Sequence, residues 1–213
     1  MNRHYTFVDR TIMAAERAVG TVSGRIAGSG RPPPPMPGPP PELSRAEHRH
    51  SCGLMRVNDA GEIAAQGLYH GQSLTAPSDA LKNQLEDAAA EEGDHLHWCR
   101  DRLDTLGGRP SVLNPLWYAG AFAMGAVASL AGERVSLGFL AETERQVVAH
   151  LDDHLARLPE ADTHSRAVLE RMREEEGRHE HGAREAGAAD LPRPVTAMMA
   201  LVSRFMTRGA YYL

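Results

Sequence analysis

EEGDHLHWCR, residues 91–100, and EEEGRHEHGA, residues 174–183, are the stretches on which the fold turns. Each holds a glutamate three residues before a histidine: Glu92 with His95, and Glu176 with His179. Residues three apart on an α-helix share a face, one turn apart, so each pair presents a carboxylate beside an imidazole. A lone glutamate precedes each pair by one hairpin length, Glu62 by 33 residues before His95 and Glu144 by 35 before His179. Two helical hairpins, each with a single carboxylate on one arm and a Glu/His pair on the other, make the ligand set of a carboxylate-bridged di-iron bundle.

The Glu-x-x-His motif alone carries little, because chance gives about one in a chain of this composition, and three are present. The third, Glu47 with His50, lies in the charged stretch SRAEHRHS and has no single-glutamate helix upstream, so we read it as a solvated decoy. The other two recur with an offset of 82 or 84 residues between equivalent positions. Glu91, Glu174 and Glu175 neighbour the pairs, but only Glu92 and Glu176 stand three before a histidine in their clusters. Asp94 with His97 is a competing pair, and Glu142 competes with Glu144, which the offset from Glu62 favours. His150, six beyond Glu144, is a candidate for supporting the ligands or facing the substrate, or else a solvent-facing histidine; His97, His154 and His181 read as surface or supporting residues. A lone carboxylate among small apolar residues, as Glu62 is, would be costly to bury unless a metal compensates it.

The chain has 213 residues, 42% hydrophobic and 24% charged, which suits one well-buried domain. Aromatic content of 5% with scarce β-branched alternation favours an all-helical protein. A net charge of −5 argues against nonspecific nucleic-acid binding. Cys52 and Cys99 lack CxxC spacing, so neither a zinc ribbon nor a rubredoxin-type site is available, and a reduced cytoplasmic compartment fits. Charges including Arg3, Asp9, Arg10, Glu16, Arg17 and Arg25 leave no uninterrupted apolar core for a secretory signal.

Phe7, Thr11, Ile12, Ala15, Val19 and Val22 recur at helical spacing, predicting an N-terminal amphipathic helix within residues 1–27, lying on a partner or membrane surface or packed on the bundle. GSGRPPPPMPGPPP, residues 28–41, cannot form helix or sheet and predicts an extended connector, with a charged lead-in to residue 48. The main domain, 49–213, reads as helices at 49–74, 79–106, 112–131, 133–158, 163–187 and 194–208. Residues 110–132 carry no charge and are long enough to cross a bilayer, but their Ala and Gly content, Asn114 and Pro115 argue against crossing. Two readings stand: a helix lying in one leaflet with Trp117 and Tyr118 at the headgroup boundary, or a buried bundle helix. Either supplies apolar walls for a greasy substrate.

LMRVNDAGEIAAQGLYHGQ (54–72), EEGDHL (91–96), PSVLNPLWYAGAFAMGA (110–126), ETERQVVAHLDDHL (142–155) and EEEGRHEHGA (174–183) resemble the demethoxyubiquinone hydroxylases, ferritin-like di-iron enzymes of ubiquinone biosynthesis. The resemblance implies an all-α, ferritin-like four-helix bundle with an added apolar helix and a C-terminal helix. It places the family's iron ligands on Glu62, Glu92, His95, Glu144, Glu176 and His179, the six reached by spacing. Asp59 departs from the histidine common in bacterial members, at a position that is not a ligand. The implied reaction is O2-dependent hydroxylation of the ring of a polyprenylated demethoxyquinol by two iron ions per chain. No GxGxxG or flavin signature is present, so electrons are expected from elsewhere, and the resemblance implies NADH or the quinol itself as their source. Implied too are peripheral attachment to the cytoplasmic face of the cell membrane and a homo-oligomer or biosynthetic complex. The rival reading is a ferritin-like iron-storage or peroxide-scavenging protein.

Overall fold

Polar caps, prolines and left-handed glycines set the helix ends. The computed structural model describes residues 7–213, without the side chains of Phe7, Val8, Arg10 and Thr11. Residues 1–6 and the expected apolar contributions of Phe7 and Thr11 therefore lie outside the described residues. The described chain forms α1 (Phe7–Val22), α2 (Arg45–Leu74), α3 (Asp79–Thr105), α4 (Asn114–Leu130), α5 (Glu133–Arg157), α6 (Thr163–Glu185) and α7 (Arg193–Tyr212). The Ser78 side chain accepts from the Leu81 amide to start α3, and Asp162 accepts from the Ser165 amide to start α6. Gly107, Gly132 and Gly187 take positive φ at the breaks after α3, before α5 and after α6, where a side chain would be strained.

α2 begins four residues earlier than the expected position 49, for a local reason. Ser44 and Glu47 form a reciprocal capping box, the Ser44 hydroxyl accepting from the Glu47 amide and the Glu47 carboxylate from the Ser44 amide. Glu47 is thus a cap, and His50 bonds the Tyr211 hydroxyl at 2.7 Å and the Arg157 carbonyl at 3.0 Å. That pair belongs to helix capping and packing. α7 runs to Tyr212, beyond the expected 208, because its end is held from α2: His50 takes the Tyr211 hydroxyl, and Arg56 donates to the Tyr211 carbonyl at 2.8 Å.

α2 with α3, and α5 with α6, form the two hairpins of a four-helix bundle, and α4 provides the long crossover between them. α4 packs chiefly along α2, with backbones in close approach: a Cβ on Gly67 would come within 2.5 Å of the Tyr118 carbonyl oxygen, and one on Gly71 would overlap that of Phe122. Trp117 and Tyr118 are buried rather than held at a surface boundary. Trp117 meets Phe205 of α7 edge-on, and the Tyr118 hydroxyl bonds His70 of α2 at 3.0 Å. The large exposed apolar residues of α4 are Leu116, Val127 and Leu130. Among the described residues no helix is long and apolar enough to cross a membrane. α1 turns Ala18 and Val22 onto Ile63, Leu96 and Tyr118 while Ile12 and Val19 face outward.

The bundle core has two apolar ends. One gathers Met55, Trp98, Cys99, Leu151, Leu169 and Met172; the other gathers Tyr69, Leu81, Leu85, Leu137, Leu140 and Ala183. Burying each Leu or Met side chain stabilises by about 1.5–3 kcal/mol. On each of the four bundle helices the chain passes from one end to the other, and the charged residues lie in the interval. Asp59, the departure from the family pattern, is buried at the α2–α3–α4 junction, accepting from Arg100 at 2.6 Å and Asn114 at 3.0 Å.

Candidate metal centre

Glu62 of α2, Glu92 and His95 of α3 and Glu176 of α6 are all buried, and each offers an atom within 4.8 Å of the others. His95 Nδ1 lies 3.1 Å from Glu92 Oε2, 3.0 Å from Glu176 Oε1 and 3.9 Å from Glu62 Oε2. His179 Nδ1 lies 3.1 Å from Glu92 Oε1 and 3.3 Å from Glu176 Oε2. Glu92 and Glu176 therefore each direct one oxygen toward each histidine, the disposition of a bridging carboxylate. Glu144 of α5 is buried on the other side, accepting a hydrogen bond from the Tyr69 hydroxyl, with Glu176, Glu92 and His179 as its nearest charges. The six expected residues come together.

Several alternatives go elsewhere. Glu142 points to Arg145, which grips it at 2.8 and 2.7 Å, and to Gln146 at 2.7 Å. Asp94 accepts from Ser29, from the Gly30 amide at 3.0 Å and from Arg31 at 2.9 Å, so Asp94 and His97 do not act as a ligand pair. His150 stands in the wall of a cavity next to the cluster, its ring centroid 3.8 Å from that of His154. His154, expected at the surface or in support of the site, is buried; burial lowers His150 to about 4 and His154 to about 2. His97 is half-buried, and His181 is exposed, 3.3 Å from Glu185.

Burial first, and then mutual repulsion with Glu92 and Glu176, raises both Glu62 and Glu144 well above the usual carboxylate range. Burial works against the charge of His179, but hydrogen bonds to Glu176 and Glu92 raise it to about 12. Four buried carboxylates face two imidazoles; were all four ionised, even two protonated rings would leave two negative charges without a protein counter-charge, which is why Glu62 and Glu144 hold their protons so strongly. Oxygen and imidazole donors with a surplus negative charge fit a pair of divalent first-row metal ions, and the residues present fit iron.

By spacing alone Glu91 and Glu175 are no more than neighbours of Glu92 and Glu176. In the structure His95 Nε2 lies 2.7 Å from Glu175 Oε2, and His179 Nε2 lies 3.2 Å from Glu91 Oε2. Each outer carboxylate comes from the helix opposite its histidine, fixing the ring so that Nδ1 faces the cluster. The doubled glutamate at 91–92 and 175–176 was the available signal.

A cavity of about 140 Å³ opens from Glu62, Glu92, Glu144 and Glu176 outward between α2, α4, α5 and α7. Most of its wall surface is apolar, with Leu68, Ala121, Met124, Phe139 and Met206 among the lining residues, and Asn58, Gln146 and His150 add polar groups.

The family model for ubiquinone biosynthesis protein COQ7 matches residues 49–210. The chain is 53% identical over 205 residues to the 3-demethoxyubiquinol 3-hydroxylase of Cupriavidus taiwanensis, covering 96% of this chain and 99% of that one. It is 52% identical over 207 residues to the enzyme of the same name from Burkholderia multivorans, covering 97% and 99%. With that from Cupriavidus necator it shares 59% over 170 residues, covering 80% and 82%. With six carboxylate and imidazole side chains, five of them buried, gathered between two helical hairpins and a family match running through all of them, the chain belongs to the COQ7 family of ubiquinone biosynthesis proteins.

Proposed function

We propose that this chain hydroxylates the ring of 3-demethoxyubiquinol, with two iron ions held by Glu62, Glu92, His95, Glu144, Glu176 and His179. The observation that carries this reading is the conjunction of two carboxylates shared between two imidazoles with an apolar cavity ending on them. Iron in that set would supply the reduction of dioxygen and the transfer of one oxygen atom. The chain's own residues do the rest. Apolar walls take the ring and the first part of a polyprenyl tail and exclude bulk water. Tyr69, donating to Glu144, holds that carboxylate in place, and Glu175 and Glu91 hold the imidazoles. Electrons come from NADH or from the quinol.

Peripheral binding to the cytoplasmic face of the cell membrane is part of the same proposal. The charged residues of α7 are Arg193, Arg204 and Arg208, all exposed, beside exposed Met198, Leu201, Val202 and Phe205. A cationic amphipathic helix of this kind suits an anionic lipid surface, and Val202 also lines the cavity. A homo-oligomer or a complex of biosynthetic enzymes is compatible with this surface. Vesicles rich in anionic lipid should carry the protein on flotation; equal recovery without vesicles would remove the membrane element.

The test of the reaction is reduced, iron-loaded protein incubated with demethoxyquinol under ¹⁸O2. One labelled oxygen on the product ring is expected. Dioxygen consumption with unlabelled or unaltered quinol would favour the iron-storage or peroxide-scavenging reading.

A further inference from the structure

Arg31 lies in the proline-rich segment, outside the residues 49–210 that the family model matches, yet it reaches the metal centre. Its Nη1 is 2.8 Å from Glu175 Oε2 and 3.4 Å from Glu91 Oε2, the two carboxylates that hold His95 and His179. Its Nη2 donates to the Glu91 carbonyl at 3.2 Å, and its Nε to Asp94 at 2.9 Å. The guanidinium also lies over the Trp98 ring, 5.6 Å from the centroid, and Trp98 packs against His95. One side chain thus contacts the outer partner of each imidazole. Lysine, a point charge, cannot reproduce that fork.

The backbone leading to Arg31 is fitted to α3. The Ser29 amide donates to the Ala90 carbonyl at 3.0 Å, and Asp94 takes the Ser29 hydroxyl and the Gly30 amide. A Cβ on Gly93 would come within 2.9 Å of Gly28 Cα, and one on Gly28 within 2.9 Å of the Asp94 amide nitrogen. Gly177, at the equivalent position of α6, has nothing within 4 Å. The three atoms nearest to a Cβ on Gly93 all belong to Ala27 and Gly28, so the approach of this strap accounts for the glycine.

We infer that residues 28–31 form a strap that clasps the metal centre, with Arg31 as a positioning residue that locks Glu175 and Glu91, and through them both histidines, in metal-binding orientation. The inference rests on reading the six residues as metal ligands. It makes the segment before the family-matched region part of the site.

The test is anaerobic titration of the full-length metal-free protein with Co(II), followed by its visible absorption bands, for the wild type, Arg31→Ala and Gly93→Ala. The wild type should bind two equivalents. Both variants should bind at least one equivalent about 10–100-fold more weakly, with altered bands. Alanine is the better helix former, so Gly93→Ala should not lower the melting temperature of the metal-free protein through α3 itself. Its loss of cobalt affinity would report displacement of the strap. If either variant, shown folded by circular dichroism, binds cobalt as the wild type does, the clasp is refuted while the metal centre stands. If the wild type binds no cobalt, the metal-centre reading fails and takes this inference with it.

Discussion

Glu144→Gln should stabilise the metal-free protein and destabilise the metal-loaded one. Glu144 is buried among Glu92 and Glu176, and burial together with their charge holds its proton on well above the usual carboxylate range. An amide of the same shape is neutral without taking up a proton from neutral solution, and it still accepts from Tyr69. Each pH unit over which folding must keep that proton, where the unfolded chain would release it, costs about 1.4 kcal/mol, and each kcal/mol recovered raises Tm by about 2–4 °C for a chain of this size. With metal in excess the sign reverses. A ligand lost at a cost of ~100-fold in affinity removes about 2.7 kcal/mol of metal-derived stability. Glu142→Gln is the control: its carboxylate turns away from the cluster to Arg145, so the variant should keep the metal-induced rise of the wild type. Calorimetric melting of both variants, metal-free and with anaerobic Fe(II), reads these shifts. A metal-induced rise for Glu144→Gln equal to the wild type, or the Glu144 behaviour appearing in Glu142→Gln, would refute the reasoning.

Gly71→Ala should lower stability by about 1–2 kcal/mol in urea unfolding, because the new methyl meets the Phe122 backbone of α4; helix propensity alone predicts the opposite sign, so a more stable variant counts against the close packing. His154 titrates at about 2 when folded against 6.5 when free, so the unfolded chain binds the extra proton between those values. Its contribution to stability is complete above pH ~6.5 and falls as the pH drops, by about 2 kcal/mol at pH 5. His154→Leu should flatten that part of the profile, and an unchanged slope would contradict the burial argument. Met199 lines the cavity on α7, and Met199→Trp should raise KM for demethoxyquinol on the order of tenfold with iron content unchanged; an unaltered KM would mean the quinol enters elsewhere.

Helices that depend on local chemistry were legible in the sequence. α5 and α6 begin at Glu133 and Thr163 as expected, because Gly132 and Asp162 mark the breaks. α2 was read as starting late because the polar first turn Arg45–His48 carries no apolar periodicity, whereas its capping box depends on two particular side chains. The end of α7 depends on Tyr211 meeting α2, a contact invisible to local pattern. The same division holds at the site. Spacing brings out the six inward residues, because hairpin length and helical period together place them at one level. It could not separate Glu91 and Glu175 from their neighbours, since adjacent carboxylates differ only by direction, and direction matters only once the opposite helix is in place. Arg31 was hidden altogether, in a segment without period, joined to the core by contacts across 60 or more residues.

On the proposed reading, six side chains of α2, α3, α5 and α6 hold two iron ions beside an apolar cavity. Diffraction from crystals of the iron-loaded protein, with an anomalous map at the iron absorption edge, tests it most directly. The account predicts two peaks, one on the side of His95 Nδ1 and Glu62 and one on the side of His179 Nδ1 and Glu144, with Glu92 and Glu176 between them. A single peak, or iron bound away from these residues, would contradict it.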